Sequence, residues 1–274
     1  MFATVPFPRL PEWLTLEPEE RPVSLRPFGT EMGDLDLEFA GVERAWLVTR
    51  VLARCAQTAS GRPAAEEAIW ALPVSSRIEA MVTLAADTAR PLEWLVRCAH
   101  ADCGAESELT LSAAEVQQVA AQAGMLNPAP VEIADRTMWL RCPTGNDQRR
   151  WLAAGPVDAA AMAANLLVEP GYEELTEAGV SQLEISAALD TAMEHYDPLV
   201  GFHLQVGCAQ CGRLTSQAPD LAGSALERLW RAQIGLIEEV HRLASHYHWT
   251  EEEIGKVPWW RRRAYLECIE GGEA

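Results

Sequence analysis

Two short cysteine turns constrain this chain more than any other feature. They are Cys98-Ala99-His100-Ala101-Asp102-Cys103-Gly104 and Cys208-Ala209-Gln210-Cys211-Gly212. Thiols two to four residues apart on a tight turn reach one ion, and a tetrahedral site of four thiolates needs two such turns brought together. Glycine after the second cysteine lets the backbone turn so that amides face the sulfurs. The segments around the turns match as well. Residues 78–104 and 185–212 each run through a helical stretch, a proline-leucine step (Pro91-Leu92, Pro198-Leu199), an aromatic, a short apolar strand, paired cysteines and a glycine. The same order recurring about 110 residues later reads as two copies of one strand-and-knuckle unit.

The expectation is one structural zinc ion held by Cys98, Cys103, Cys208 and Cys211. Four protein ligands leave no open position for water or substrate, so the site is structural and not catalytic. His100 is an alternative ligand, but four thiolates already complete the shell. The competing reading is four reduced thiols in apolar turns. Cys55, Cys142 and Cys268 lie outside the repeat and read as buried small hydrophobes. The seven cysteines are an odd number, and Met1-Phe2-Ala3-Thr4-Val5-Pro6 lacks the form of an export signal, so a disulfide framework is not expected and a cytoplasmic location is.

Charge narrows the partners. Forty acidic against 22 basic residues give a formal charge of −18, a field that opposes binding to a phosphate backbone. Arg261-Arg262-Arg263 is the best local basic patch and reads as a solvated helix face. No stretch approaches the roughly 18 unbroken apolar residues of a membrane span.

The fold class expected is α+β, mainly α: a helical core, two zinc-knuckle hairpins joined at one site, and a C-terminal helical hairpin. Residues 1–40 hold six prolines and the aromatics Phe2, Phe7, Trp13 and Phe28. They read as an extended arm that docks on its own domain or on a neighbour, and whose removal leaves a folded core. A first helical and knuckle half (41–130) comes next, with helical periodicity from about Val42 to Arg90. Residues 131–184 form a connecting segment in which Met138-Trp139-Leu140 suits a strand and Thr144 caps a helix with Asp147. The second knuckle half covers 185–220. The hook, 221–274, opens with a long helix whose face is Leu226, Leu229, Trp230, Ile234, Ile237, Val240, Leu243, Ala244 and Tyr247. Thr250 to Glu253 then form a capping box, and Pro258 opens a last helix through Ile269.

No active site is apparent. His241, His246 and His248 do not share a helix face and suit contact with the helix C-terminus. Acidic pairs such as Glu173-Glu174 sit in polar surroundings. A phosphate-binding glycine loop and a nucleophile elbow are both missing. The expectation is a protein that is not an enzyme and has no small-molecule substrate.

Four stretches resemble a known family. These are Leu72-Pro73 to Leu84 leading into Cys98 and Cys103, Arg141-Cys142-Pro143-Thr144 to Asp147, the Cys208/Cys211 knuckle, and the tail from His241 to Ile254 with its continuation Pro258 to Leu266. Together they span roughly residues 42–270. The chain is similar to the phage T4-type baseplate hub assembly chaperones of contractile tails and extracellular contractile injection systems. That family often spaces both knuckles as CxxC, so the wider first knuckle departs from it, and the first 40 residues are not clearly shared. The resemblance implies a helper or minor component of the baseplate whose partners are baseplate, hub or spike proteins, with no nucleic acid. The alternatives are a zinc-ribbon adaptor on nucleic acid, which would want basic residues near the knuckles where only Arg213 is found, and a zinc hydrolase, which a closed shell disfavours.

Overall fold

The computed structural model describes residues 4–86, 91–122, 127–168 and 171–272. Phe2 of the arm and the end of the helical stretch at 87–90 lie outside the described residues. Strands β1 (Val5–Pro6) and β2 (Pro22–Leu25) precede helix α1 (Arg44–Cys55) and strand β3 (Ala56–Thr58). Helices α2 (Glu66–Ala71) and α3 (Val74–Ala85) lead into the hairpin β4 (Leu92–Arg97) and β5 (Glu106–Leu111). Helix α4 (Ala113–Ala121) is followed by a second hairpin, β6 (Ala129–Ile133) and β7 (Arg136–Leu140). Four helices come next: α5 (Gly145–Ala154), α6 (Ala159–Leu166), α7 (Tyr172–Glu177) and α8 (Gln182–Tyr196). The hairpin β8 (Leu204–Gly207) and β9 (Leu214–Gln217) precedes α9 (Leu221–Tyr247), α10 (Glu251–Lys256) and α11 (Trp259–Gly272). The protein is mainly helical with small antiparallel sheets, as the sequence predicts.

Local chemistry explains the boundaries. Pro73, with no N–H to give, separates α2 from α3 and stands at the N-cap of α3. Thr144 donates both its N–H (2.8 Å) and its hydroxyl (2.9 Å) to Asp147, closing the predicted cap of α5. At α10 the predicted box is also present: the Thr250 N–H donates to the Glu253 carboxylate at 2.8 Å, and the Glu253 N–H to the Thr250 hydroxyl at 3.2 Å. Between α9 and α10 the backbone reverses through His248 in the left-handed region (φ 58°), with its N–H on the Ala244 carbonyl at 2.8 Å.

The first 40 residues dock on the chain's own domain and belong to its main core. Phe7, Leu10, Leu14, Leu25 and Leu37 are buried in one cluster with α1, α3 and the N-terminal half of α9. Strand β2 pairs antiparallel with both β1 and β3, so the prolines do not exclude a sheet. Pro6 lies on the edge strand and Pro22 opens β2, positions that tolerate a missing N–H. Arg26 grips the fully buried Asp34 with two bonds of 2.7 Å. From α9, the buried Gln233 side chain donates to the Asp34 and Leu37 carbonyls, each at 2.9 Å. The arm thus supplies five of the buried side chains of the main core.

A second cluster packs β6 and β7 against α6, α7 and α8, and a third joins the end of α9 to α10 and α11. The inward face of α9 differs from the expected one. Leu226, Leu229, Val240 and Leu243 are buried, but Trp230, Ile234 and Ile237 are 46%, 40% and 44% exposed. The buried stripe is rotated toward Leu221, Ala225 and Gln233, because Gln233 reaches the arm carbonyls. The arginine run also departs from a fully solvated face: Arg262 is buried and pairs with Glu239 at 2.8 Å. Cys55 is buried as expected, Cys142 is half-buried, and Cys268 is exposed because Ile269 takes the inward position of that turn.

Candidate metal centre

Among the described residues, each repeat unit runs from a helix to a hairpin that carries its cysteines. In each, the leucine after the proline (Leu92, Leu199) is buried in the main core and anchors the adjoining hairpin. Leu92 opens β4 directly, whereas Leu199 lies in a turn over residues 198–201 that precedes β8. Both knuckles bridge hairpins in the same way. The Cys98 N–H donates to the Ala105 carbonyl (2.9 Å) and the Cys208 N–H to the Arg213 carbonyl (3.0 Å). Gly104 and Gly212 close the turns at φ 60° and 69°, a region where a side chain is strained.

The hairpins face one another and bring the four cysteines together. Cys98 Sγ is 3.8 Å from Cys211 Sγ, Cys103 Sγ is 3.7 Å from Cys208 Sγ, and all four sulfurs lie within 4.8 Å of one another. A disulfide needs about 2.05 Å, and all four are free thiols. A tetrahedron with metal–sulfur bonds of about 2.3 Å has edges of about 3.8 Å. These two separations match those edges, so the cluster is compatible with one four-coordinate ion. The predicted residues thus converge although each pair comes from a separate hairpin.

Contacts around the sulfurs bias their protonation. The Arg213 amide and then its guanidinium pull the Cys211 thiol down to about 6. Amides of Cys211 and Gln210 lower that of Cys208. The Ala105 amide acts in the same direction on Cys103, but loss of water and the neighbouring thiols outweigh it and push that group up to about 11. Crowded thiols resist losing their protons together, and a bound cation removes that resistance.

Other bonds tie the hairpins without any ion. Arg213 pairs with Asp102 of the opposite knuckle, and Gln217 Nε2 donates to the Arg97 carbonyl at 3.2 Å. His100 Nε2 lies 3.2 Å from the Leu214 carbonyl and so faces β9 instead of the sulfurs. The buried Thr215 hydroxyl lies 3.8 Å from Cys98 Sγ. Sequence reasoning noted Arg213 only as a lone base and missed its link to Asp102. The one available signal was its place directly after Cys211-Gly212. No protein family, curated protein or solved structure matches this chain. Among the described residues, no helix is long and apolar enough to cross a membrane.

Proposed function

We propose that the chain is a non-enzymatic assembly factor or minor structural component of the baseplate of a contractile phage tail or phage-like injection system, built around one structural zinc. The observation that carries the reading is the convergence of the two knuckles on one closed four-thiolate site inside a chain whose tail resembles the hub assembly chaperones. Thiolates suit zinc, although a tetrahedral sulfur set also suits iron. The closed shell favours a scaffold role, since it offers no position for substrate. The hook supplies a surface: Trp230, Ile234 and Ile237 of α9 and Trp259 and Trp260 of α11 are exposed large apolar side chains, a feature of protein-binding faces when contiguous.

The test is elemental analysis of the purified protein, run with co-expression of tube, sheath and spike genes and affinity capture. One zinc per chain with a hub or spike protein retained supports both halves. Iron in place of zinc overturns the metal assignment alone. Zinc together with captured nucleic acid moves the zinc-ribbon adaptor into first place.

A further inference from the structure

A cleft of about 790 Å³ lies between α1, α3, α5 and the start of α9, away from the cysteines. That is within the range of small-molecule sites, which are mostly apolar with a few placed polar groups. Its walls include Val48, Val74, Ile78, Trp151 and Phe202. At its base is Arg77, only 1% exposed.

Arg77 is an unusual residue to bury this way. Its guanidinium donates to the Gln148 side-chain carbonyl at 2.7 Å, the Ala45 carbonyl at 2.8 Å and the Thr49 hydroxyl at 2.5 Å. It sits over the Trp70 ring at 4.7 Å. All of these partners are neutral, and its Nε has none. Buried arginines are ordinarily met by a carboxylate, yet none lies within ion-pairing distance of Arg77 among the described residues, and burial pulls the group down to about 10. The charged residues at the rim do not pair with Arg77: Arg44 and Asp220 pair with each other at 2.7 Å, His203 faces Glu194 at 3.6 Å, and Glu43 is exposed and makes no ion pair with Arg77. Trp151 Nε1 is a second buried donor without an acceptor. The cleft thus offers apolar walls, and behind them lie a buried positive charge and two donors that lack acceptors and have almost no exposed surface. Gln148 lines the same cleft and accepts from Arg77, so a ligand oxygen would reach Arg77 by displacing the Gln148 side chain.

We propose that this cleft binds a small amphipathic carboxylate, an apolar chain or ring carrying one carboxyl group, with its charge met by Arg77. The inference is independent of any role in a baseplate. Decanoate and its neutral match decanol are the probes, titrated calorimetrically into the full-length protein. Decanoate is expected to bind with one-to-one stoichiometry and at least about ten-fold more tightly than decanol, about the share that one charge-assisted bond contributes. Arg77→Met is expected to erase that preference, with a thermal melt confirming that the variant folds. Met162→Trp, at the cleft wall, leaves Arg77 in place and is expected to block both probes. Equal affinity of the wild-type protein for decanoate and decanol, no saturable heat with decanoate at millimolar concentration, or unchanged binding in Met162→Trp would each overturn the proposal.

Discussion

Arg213 connects two jobs at the metal centre, since its amide and guanidinium favour the Cys211 thiolate while its side chain reaches across to Asp102. Outer partners of this kind orient ligands and set their basicity, and their loss typically lowers metal affinity 10- to 100-fold. Arg213→Ala should therefore fold and bind zinc, but about 10- to 100-fold more weakly in a chelator competition. Cys211→Ser removes a ligand outright and should lose the ion and melt lower by roughly 10 °C, because structural metal binding is folding free energy. Unchanged metal content and melting in that variant would sink the site. A second residue-scale test concerns Asp147, which is fully buried, bonds Arg141 at 2.7 and 2.8 Å and is also contacted by Arg150. Although burial opposes its charge, Arg141 and Thr144 hold its carboxyl well below the usual carboxylate range. A depressed acid contributes stability that is present above its unfolded value of about 3.9 and lost as pH falls toward the folded one. Asp147→Asn should cost about 3–5 kcal/mol at pH 7. Urea melts should show that gap narrowing by pH 3.

Among the elements, α9 shows where periodicity informs and where it stops. Gln233 sits inside the buried stripe and serves three arm carbonyls, including Leu35 at 3.3 Å. Gln233→Leu should leave buried acceptors unmet and cost about 1–3 kcal/mol in denaturant melts. Its polarity puts it on the wet side of a hydropathy pattern, and the same pattern turns Trp230, Ile234 and Ile237 inward. A helix wheel registers apolarity but not which neighbour needs a hydrogen-bond donor. The caps at Thr144 and Thr250 were readable because their chemistry is complete within four residues. The knuckles were readable too, since thiol spacing and a left-handed glycine are local signals. The pairing of β2 with β1 and β3 depends on partners as far off as Ala56 to Thr58, and proline density alone argued the other way.

For the molecule as a whole, the N-terminal 40 residues supply a substantial part of the main core. Phe7, Leu10, Leu14, Leu25 and Leu37 each remove apolar surface worth roughly 1.5–3 kcal/mol. Their sum rivals the 5–15 kcal/mol by which a typical domain is stable. A chain starting at residue 41 should be insoluble or protease-sensitive, and a soluble, cooperatively melting truncation would show that the arm is expendable. The separation of the two knuckles has a further consequence, for timing. During synthesis, a chain made only as far as Gly207 carries just two of the four thiols, and they face no partner. A four-thiolate shell is incomplete while either hairpin is missing or misplaced, so full coordination of an ion would come after the intervening helices have found their seats. On the proposed reading, metal uptake is then a late event that reports a finished tertiary arrangement, and a chain that stalls or misfolds between the hairpins would be left without it.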